Sequence, residues 1–276
     1  MSAGPLTLLV DNGSLAPAAT LALRELAARL SLRLGQTVEP VSLLHSSGID
    51  PVQLDGRPAE LLFPFLERQR AAGRDEFVVL PLFFGPSRAL TEYLPDNLTR
   101  LQEKFPALRV RCAPPLHAEG DDRLARILTA HVRAELPPDS ARPVRVALVD
   151  HGSPVAAVTA VRDALARQMA RLLGTDAAAV APCSMERRPE RAYDFNDPLL
   201  ARLLDSPPWS ESTVIVAMQF ILPGRHAGPT GDVAAICRQA EASHPDLRTR
   251  LTKLVAAHPL LLEILADRWR TAAGPD

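Results

Sequence analysis

Short runs of Val and Leu alternate along the chain with longer stretches in which apolar side chains recur every three or four positions. The first run covers residues 6–10, and one of the same kind covers 145–149. After the second run, Val155, Val158, Leu165, Met169 and Leu172 fall at helical spacing, which predicts a helix over 154–173 stopped by Gly174. The matching Ala/Leu-rich segment of the first half ends at Gly35. Strands are predicted at 38–44 and 178–184, each followed by a helix. The runs "FVVLPLFF" (77–84) and "TVIVAMQFIL" (213–222) are the clearest strands. Continuous apolarity of that length suits strands covered on both faces of a parallel sheet. Short strands at 108–112 and 247–251 each precede a terminal helix. Regular strand–helix alternation predicts an α/β fold: two tandem doubly wound parallel-sheet domains.

The halves also match residue by residue. "LLVDNGS" (8–14) pairs with "ALVDHGS" (147–153), "FPALRVR" (105–111) with "HPDLRTR" (244–250), and "LARILTAHV" (124–132) with "LLEILADRW" (261–269). The spacing between copies is nearly constant, so two whole domains are repeated by internal duplication, not a small solenoid unit. The polar, Pro-rich stretch "LPPDSARP" (136–143) reads as the connection. The expected division is an N-terminal domain over 1–136, a linker over 137–143 and a C-terminal domain over 144–276.

Composition changes this picture little. A net charge of −1 provides no field to draw nucleic acid or an anionic membrane. Cys112, Cys183 and Cys237 are scattered, with neither a disulfide framework nor a zinc-thiolate spacing. No stretch is long and apolar enough to span a bilayer, and no basic segment precedes the first apolar run. A soluble, cytoplasmic protein is expected.

Ligands of open parallel sheets bind beyond the carboxyl ends of the strands. In the second half those positions carry Asp150-His151-Gly152-Ser153, then "CSMERRPER" with Glu186, then "PGRHAGPTGD" with His226 and Asp232. Two imidazoles and a carboxylate on one sheet edge suit a first-row divalent metal, and three protein ligands leave coordination positions open. In the first half Asn12 stands at the place of His151, Ala89 at that of His226, and alignment of "VSLLHSS" with "PCSMERR" sets His45 against Glu186. The framework is kept and the ligands are not, so the chemistry is expected in the second half. Asp232 is expected to cap the helix that follows it. His117, His131, His244 and His258 are assigned no role, and Cys183 reads as a small buried hydrophobe.

At "DHGS" (150–153), Glu186 and "GRHAGPTGD" (224–232) the sequence resembles the class II tetrapyrrole chelatases, specifically the sirohydrochlorin cobaltochelatase/ferrochelatase group of cobalamin and siroheme biosynthesis. The resemblance covers essentially the whole chain. It implies a lyase that inserts Co²⁺ or Fe²⁺, or Ni²⁺, into a sirohydrochlorin-like tetrapyrrole. The metal is then a substrate, and no organic cofactor is needed. It further implies that His151 and His226 bind the incoming metal with Glu186 between them, and that these residues are the catalytic set. Arg225, Gly224, Arg187 and Ser153 are expected to contact the macrocycle, whose many carboxylates suit arginine forks. A flat ligand is expected in a cleft between the halves, with Arg88 reaching in from the first. A monomer or weak dimer is expected, because duplication supplies both walls that a single-domain relative needs a dimer to form.

Two other functions compete. "DHGS" faintly resembles the phosphohistidine phosphatases, but Asp150 occupies the place of their arginine and would repel phosphate. A metal or tetrapyrrole carrier with the same fold and no turnover is the second.

Overall fold

The computed structural model of the chain describes residues 4–138 and 144–274. Two compact units are formed, one from Met1–Ala118 with Leu262–Asp276 and one from Glu119–Leu261.

In the first unit, β1 (Leu6–Asp11) is followed by α1 (Pro17–Leu34), β2 (Val38–Ser42), α2 (Leu62–Ala71), β3 (Glu76–Pro81), α3 (Leu94–Lys104) and β4 (Arg109–Cys112). The sheet is parallel throughout, in the order β2-β1-β3-β4. Leu8, Leu9 and Val10 of β1 and Phe77 to Leu80 of β3 are fully buried, as continuous apolar runs in a two-sided sheet require. The predicted strand over 77–84 is shorter than its apolar run. Leu82 still donates its N–H to the Val10 carbonyl, 2.7 Å away, but β1 ends one residue later and leaves no partner for more ladder. Phe83 leaves the sheet while its side chain packs against the core from the loop.

The second unit opens with α4 (Arg123–Ala134) and continues through β5 (Val144–Asp150), α5 (Ala156–Leu173), β6 (Ala177–Ser184), α6 (Leu200–Leu204), β7 (Thr213–Met218), α7 (Asp232–Ser243) and β8 (Arg248–Leu251). Its order, β6-β5-β7-β8, is that of the first sheet, again all parallel. Helix α5 ends at Gly174, which has φ 53°. The run over 213–222 likewise leaves the sheet after Met218, and Phe220 packs back on the core.

The last helix, α8 (Leu260–Ala273), lies mainly in the first unit. There Trp269 donates its indole N–H to Thr7 Oγ1 at 2.9 Å, and Arg268 donates to the carbonyls of Pro115 and Leu116. Arg33 grips Glu263 through two bonds of 2.8 and 2.7 Å. Helix α4 is built into the second unit, where Leu124, Ile127, Leu128 and Val132 are buried and His131 donates from Nδ1 to the Lys253 carbonyl. Each sequence half therefore gives its terminal helix to the other unit. The units divide at 118/119 and 261/262, not at the expected 137–143, of which 139–143 lie outside the described residues. Amphipathic spacing marks a buried helix face but not which core it covers. Among the described residues no helix is long and apolar enough to cross a membrane.

Candidate metal-binding site

The site of the second unit begins where β5 and β6 run out. Met185 donates its N–H to the Asp150 carbonyl at 2.8 Å, and Glu186 donates to the His151 carbonyl at 3.2 Å, so the two ligand-type residues sit side by side just past the sheet. Gly152 makes this approach possible. It has φ 93°, and a Cβ there would lie 1.9 Å from the Glu186 carbonyl oxygen. Only glycine fits both the dihedral and the space. His151 Nε2 comes 3.4 Å from Glu186 Oε1.

His226 arrives from the loop between β7 and α7, and its ring centroid is 4.6 Å from that of His151, edge to face. Its Nδ1 donates to Asp232 Oδ2 at 2.7 Å. Nδ1 of His151 faces the Gly152 carbonyl at 3.0 Å. A carbonyl and a carboxylate can only accept, so both Nδ1 atoms carry a proton, and Nε2 is the atom that holds the lone pair whenever the ring is neutral. Asp232 was expected as a helix cap. Instead Gly231 is the N-cap residue, without a side-chain bond, and the Asp232 carboxylate orients His226. A histidine six residues ahead of an acidic helix start carries that signal.

His151 thus neighbours both Glu186 and His226, although among the described residues no group of three or more His, Cys, Asp or Glu side chains is placed so that it could hold a metal ion. Of the residues expected to meet a macrocycle, Gly224 and Arg225 ride on the His226 loop. Arg225 is largely exposed, with Nε 3.7 Å from Asp232. Arg187 is engaged internally, bonded to Asp197 at 3.1 Å and Asp194 at 3.0 Å. Ser153 belongs to the turn: its N–H goes to Asn196 Oδ1 and its Oγ accepts from Val155. Asp150 does not touch the imidazole beside it. Its Oδ1 accepts the Gly152 N–H at 3.1 Å and the Ser184 hydroxyl at 2.6 Å. Burial pushes its carboxyl upward, opposed by Ser184 and by the charge of Arg162.

Arg162 was not singled out from sequence. It lies on the same stripe of α5 as Leu165, Ala166 and Met169, and it is 1 % exposed. A charged residue in a core register was the available signal.

The first unit repeats the backbone of this site without its chemistry. Asp11 pairs with Ser42 as Asp150 pairs with Ser184. Leu44 donates to the Asn12 carbonyl, and a Cβ on Gly13 would lie 1.7 Å from the Leu44 oxygen. The counterpart of Glu186 is therefore Leu44, and His45 stands one position further on. Ala89 begins a π-helical turn, Ala89–Tyr93, where the second unit has the open loop of His226. Leu23 holds the helix position of Arg162, counted from the starts of α1 and α5. Asp11 Oδ1 is buried without a hydrogen-bond partner, and burial pushes this carboxyl up to about 6 against the opposing pull of Ser42 and the Gly13 amide.

Residues 6–135 match the family CbiX. Over that stretch, just under half of the chain, the sequence is similar to the CbiX family. The match falls on the half that carries Asn12, Leu44 and Ala89, and His151, Glu186 and His226 lie outside it. Solved structures align with almost the whole chain. SirB from Bacillus subtilis with Fe³⁺ is 14% identical at a TM-score of 0.69, over 99% of this chain and 96% of that one. SirB from Bacillus subtilis subspecies spizizenii, described as a sirohydrochlorin chelatase in complex with cobalt, is 15% identical at a TM-score of 0.69, over 98% and 96%. CbiX described as the terminal enzyme for biosynthesis of siroheme in denitrifying bacteria is 19% identical at a TM-score of 0.62, over 97% and 99%. No curated protein matches the sequence. At these identities the structural likeness is one of fold. It bears out the tandem parallel-sheet architecture, and together with the family match it bears out the resemblance to class II chelatases.

Proposed function

We propose that this protein is a sirohydrochlorin-type chelatase, inserting Co²⁺ or Fe²⁺ into a tetrapyrrole on the way to cobalamin or siroheme. The observation that carries the reading is the pair of facing histidines beside Glu186, each with its Nδ1 held by an acceptor. With both Nδ1 atoms facing acceptors, Nε2 is the atom each neutral ring offers to a metal, and His151 Nε2 lies 3.4 Å from Glu186 Oε1 with the His226 ring 4.6 Å from that of His151. Imidazole nitrogen and carboxylate oxygen suit borderline divalent metals, and the set must tighten around the ion because metal–ligand bonds are about 2.0–2.2 Å. A loosely assembled site suits a metal that has to leave again.

Insertion exchanges two pyrrole N–H protons for one M²⁺. As the cation transfers to the macrocycle, the imidazole Nε2 atoms it vacates accept those protons. The side chains of His151, His226 and Glu186 are 47%, 31% and 62% exposed, which leaves a path for proton release to solvent. Asp232 keeps His226 in the accepting tautomer, as partners beyond the ligand shell do. Arg225, exposed although paired with Asp232, and Gly224 offer a guanidinium and close backbone approach to substrate carboxylates. Arg187 has to exchange its two aspartates to do the same.

The test is to follow sirohydrochlorin absorbance with protein and Co²⁺, Fe²⁺ or Ni²⁺. His151→Ala and His226→Ala are expected to lower the rate at least 100-fold with the fold retained, and Asn12→Ala to change it less than two-fold. Metal binding with no rate above the spontaneous reaction would establish a carrier instead.

A further inference from the structure

We propose that Arg162 is a positioning residue for the metal ligands: its buried guanidinium locks the His151 turn against the Glu186 segment in the spacing that receives the cation. The inference rests on the reading of His151 and Glu186 as metal ligands. From α5, Arg162 Nη1 donates to Ser184 Oγ at 2.6 Å and to the Asn196 carbonyl at 2.9 Å, and Nη2 reaches the Phe195 carbonyl at 3.4 Å. Ser184 passes its own hydrogen to Asp150 Oδ1, which also holds the Gly152 N–H. Asn196 closes the circle from the other side, accepting the Ser153 N–H and donating to the Ser153 carbonyl. One side chain therefore ties together the residues on both sides of His151, the strand end two residues before Glu186, and the segment at 195–196.

The first unit indicates what this network is for. The same strand register, the same left-handed glycine and the same amide-to-carbonyl bond past the strand ends form there with Leu23 in place of the arginine. The fold does not need the guanidinium. Burying one is costly unless every donor is used. The cost is borne only in the unit whose turn carries a histidine, and in the other unit the aspartate below the turn keeps a buried oxygen without a partner. Asp163, 2.8 Å from Arg162, supplies the balancing charge from the helix surface.

The experiment uses the full-length chain, metal-free and titrated with Co²⁺. Arg162→Leu, which copies the first unit, is expected to fold and to weaken Co²⁺ binding at least 10-fold, with the rate loss in the metal KM more than in kcat. Arg162→Lys should recover part of the loss. Imidazole ¹⁵N NMR of the metal-free protein gives a second reading: the His151 Nδ1–H signal should be lost or broadened in Arg162→Leu while that of His226, held by Asp232, persists. Co²⁺ affinity within two-fold of wild type in folded Arg162→Leu, or an unchanged His151 signal in that variant, would overturn the proposal. If wild-type protein shows no Co²⁺ binding sensitive to His151→Ala, it is the chelatase reading that fails, and the NMR comparison still decides whether Arg162 positions His151.

Discussion

At the scale of single residues, the exchange of Arg162 for Leu23 leaves a measurable trace in the unit without the histidines. Asp11 is held at about 6 by burial, whereas the unfolded chain titrates at its ordinary 3.8. Above pH 6 both states are ionised and the fold bears the cost of a buried charge, on the order of 3 kcal/mol from the two values. As pH falls through 6 the folded state takes up the proton first, so this contribution to stability is complete below 3.8 and lost as pH rises. Asp11→Asn removes the charge. It should raise stability by about 1–2 kcal/mol at pH 8, a gain that shrinks towards pH 4, because the new amide recovers only part of the cost. Urea unfolding of both proteins across that range measures it, and a gain that grew on acidification would contradict the assignment. The histidines of the candidate site were legible in the sequence because they directly follow predicted strands. Arg162 was not, because pattern reading assigns charged residues to the outer helix face. The one-residue displacement of His45 against Glu186 has a similar origin: a seven-residue similarity does not fix register, whereas the hydrogen bond from Leu44 to Asn12 does.

At the scale of elements, the positions of strands and helices followed from the apolar runs, but the strand ends did not, since Phe83 and Phe220 are apolar for loop packing and not for ladder. What the elements demand most strictly is the glycine after each first strand. A Cβ on Gly13 or Gly152 meets backbone oxygen at 1.7 or 1.9 Å, and a backbone atom cannot swing away as a side chain can. Each Gly→Ala change should cost about 3 kcal/mol or more, from strain at positive φ plus overlap. Gly35, with φ 68° and nothing within 4 Å of its would-be Cβ, is the control: Gly35→Ala should cost only about 1–2 kcal/mol. Co²⁺ binding separates the two turns. Gly152→Ala breaks the approach of Glu186 to His151 and should abolish binding, while Gly13→Ala should leave the affinity of the folded fraction unchanged. Loss of binding in both would mean that the first unit supplies ligands.

At the scale of the whole molecule, duplication was visible in the sequence and the exchange of terminal helices was not. Helices α4 and α8 carry matching stripes, and nothing local states which core each one covers. The consequence appears when the chain is cut within 139–143. Fragment 1–138 loses α8, and with it the Trp269 bond to Thr7, the Arg268 bonds to two carbonyls and the Glu263 pair with Arg33. Its own α4 is the only substitute. Aligned on α8 it brings Val132 for Trp269, His131 for Arg268 and Arg126 for Glu263. The indole donor is gone, a forked cation becomes a single imidazole, and Arg33 meets a like charge. Neither fragment should therefore unfold cooperatively alone, whereas co-expressed fragments should exchange helices as in the intact chain and recover Co²⁺ binding with one site per pair. Analytical ultracentrifugation and thermal melts of each fragment, singly and together, decide the point. A fragment 1–138 that melts cooperatively by itself, near the temperature of the full chain, would show that α4 serves the first core as well as α8 does, and that the exchange adds nothing to stability.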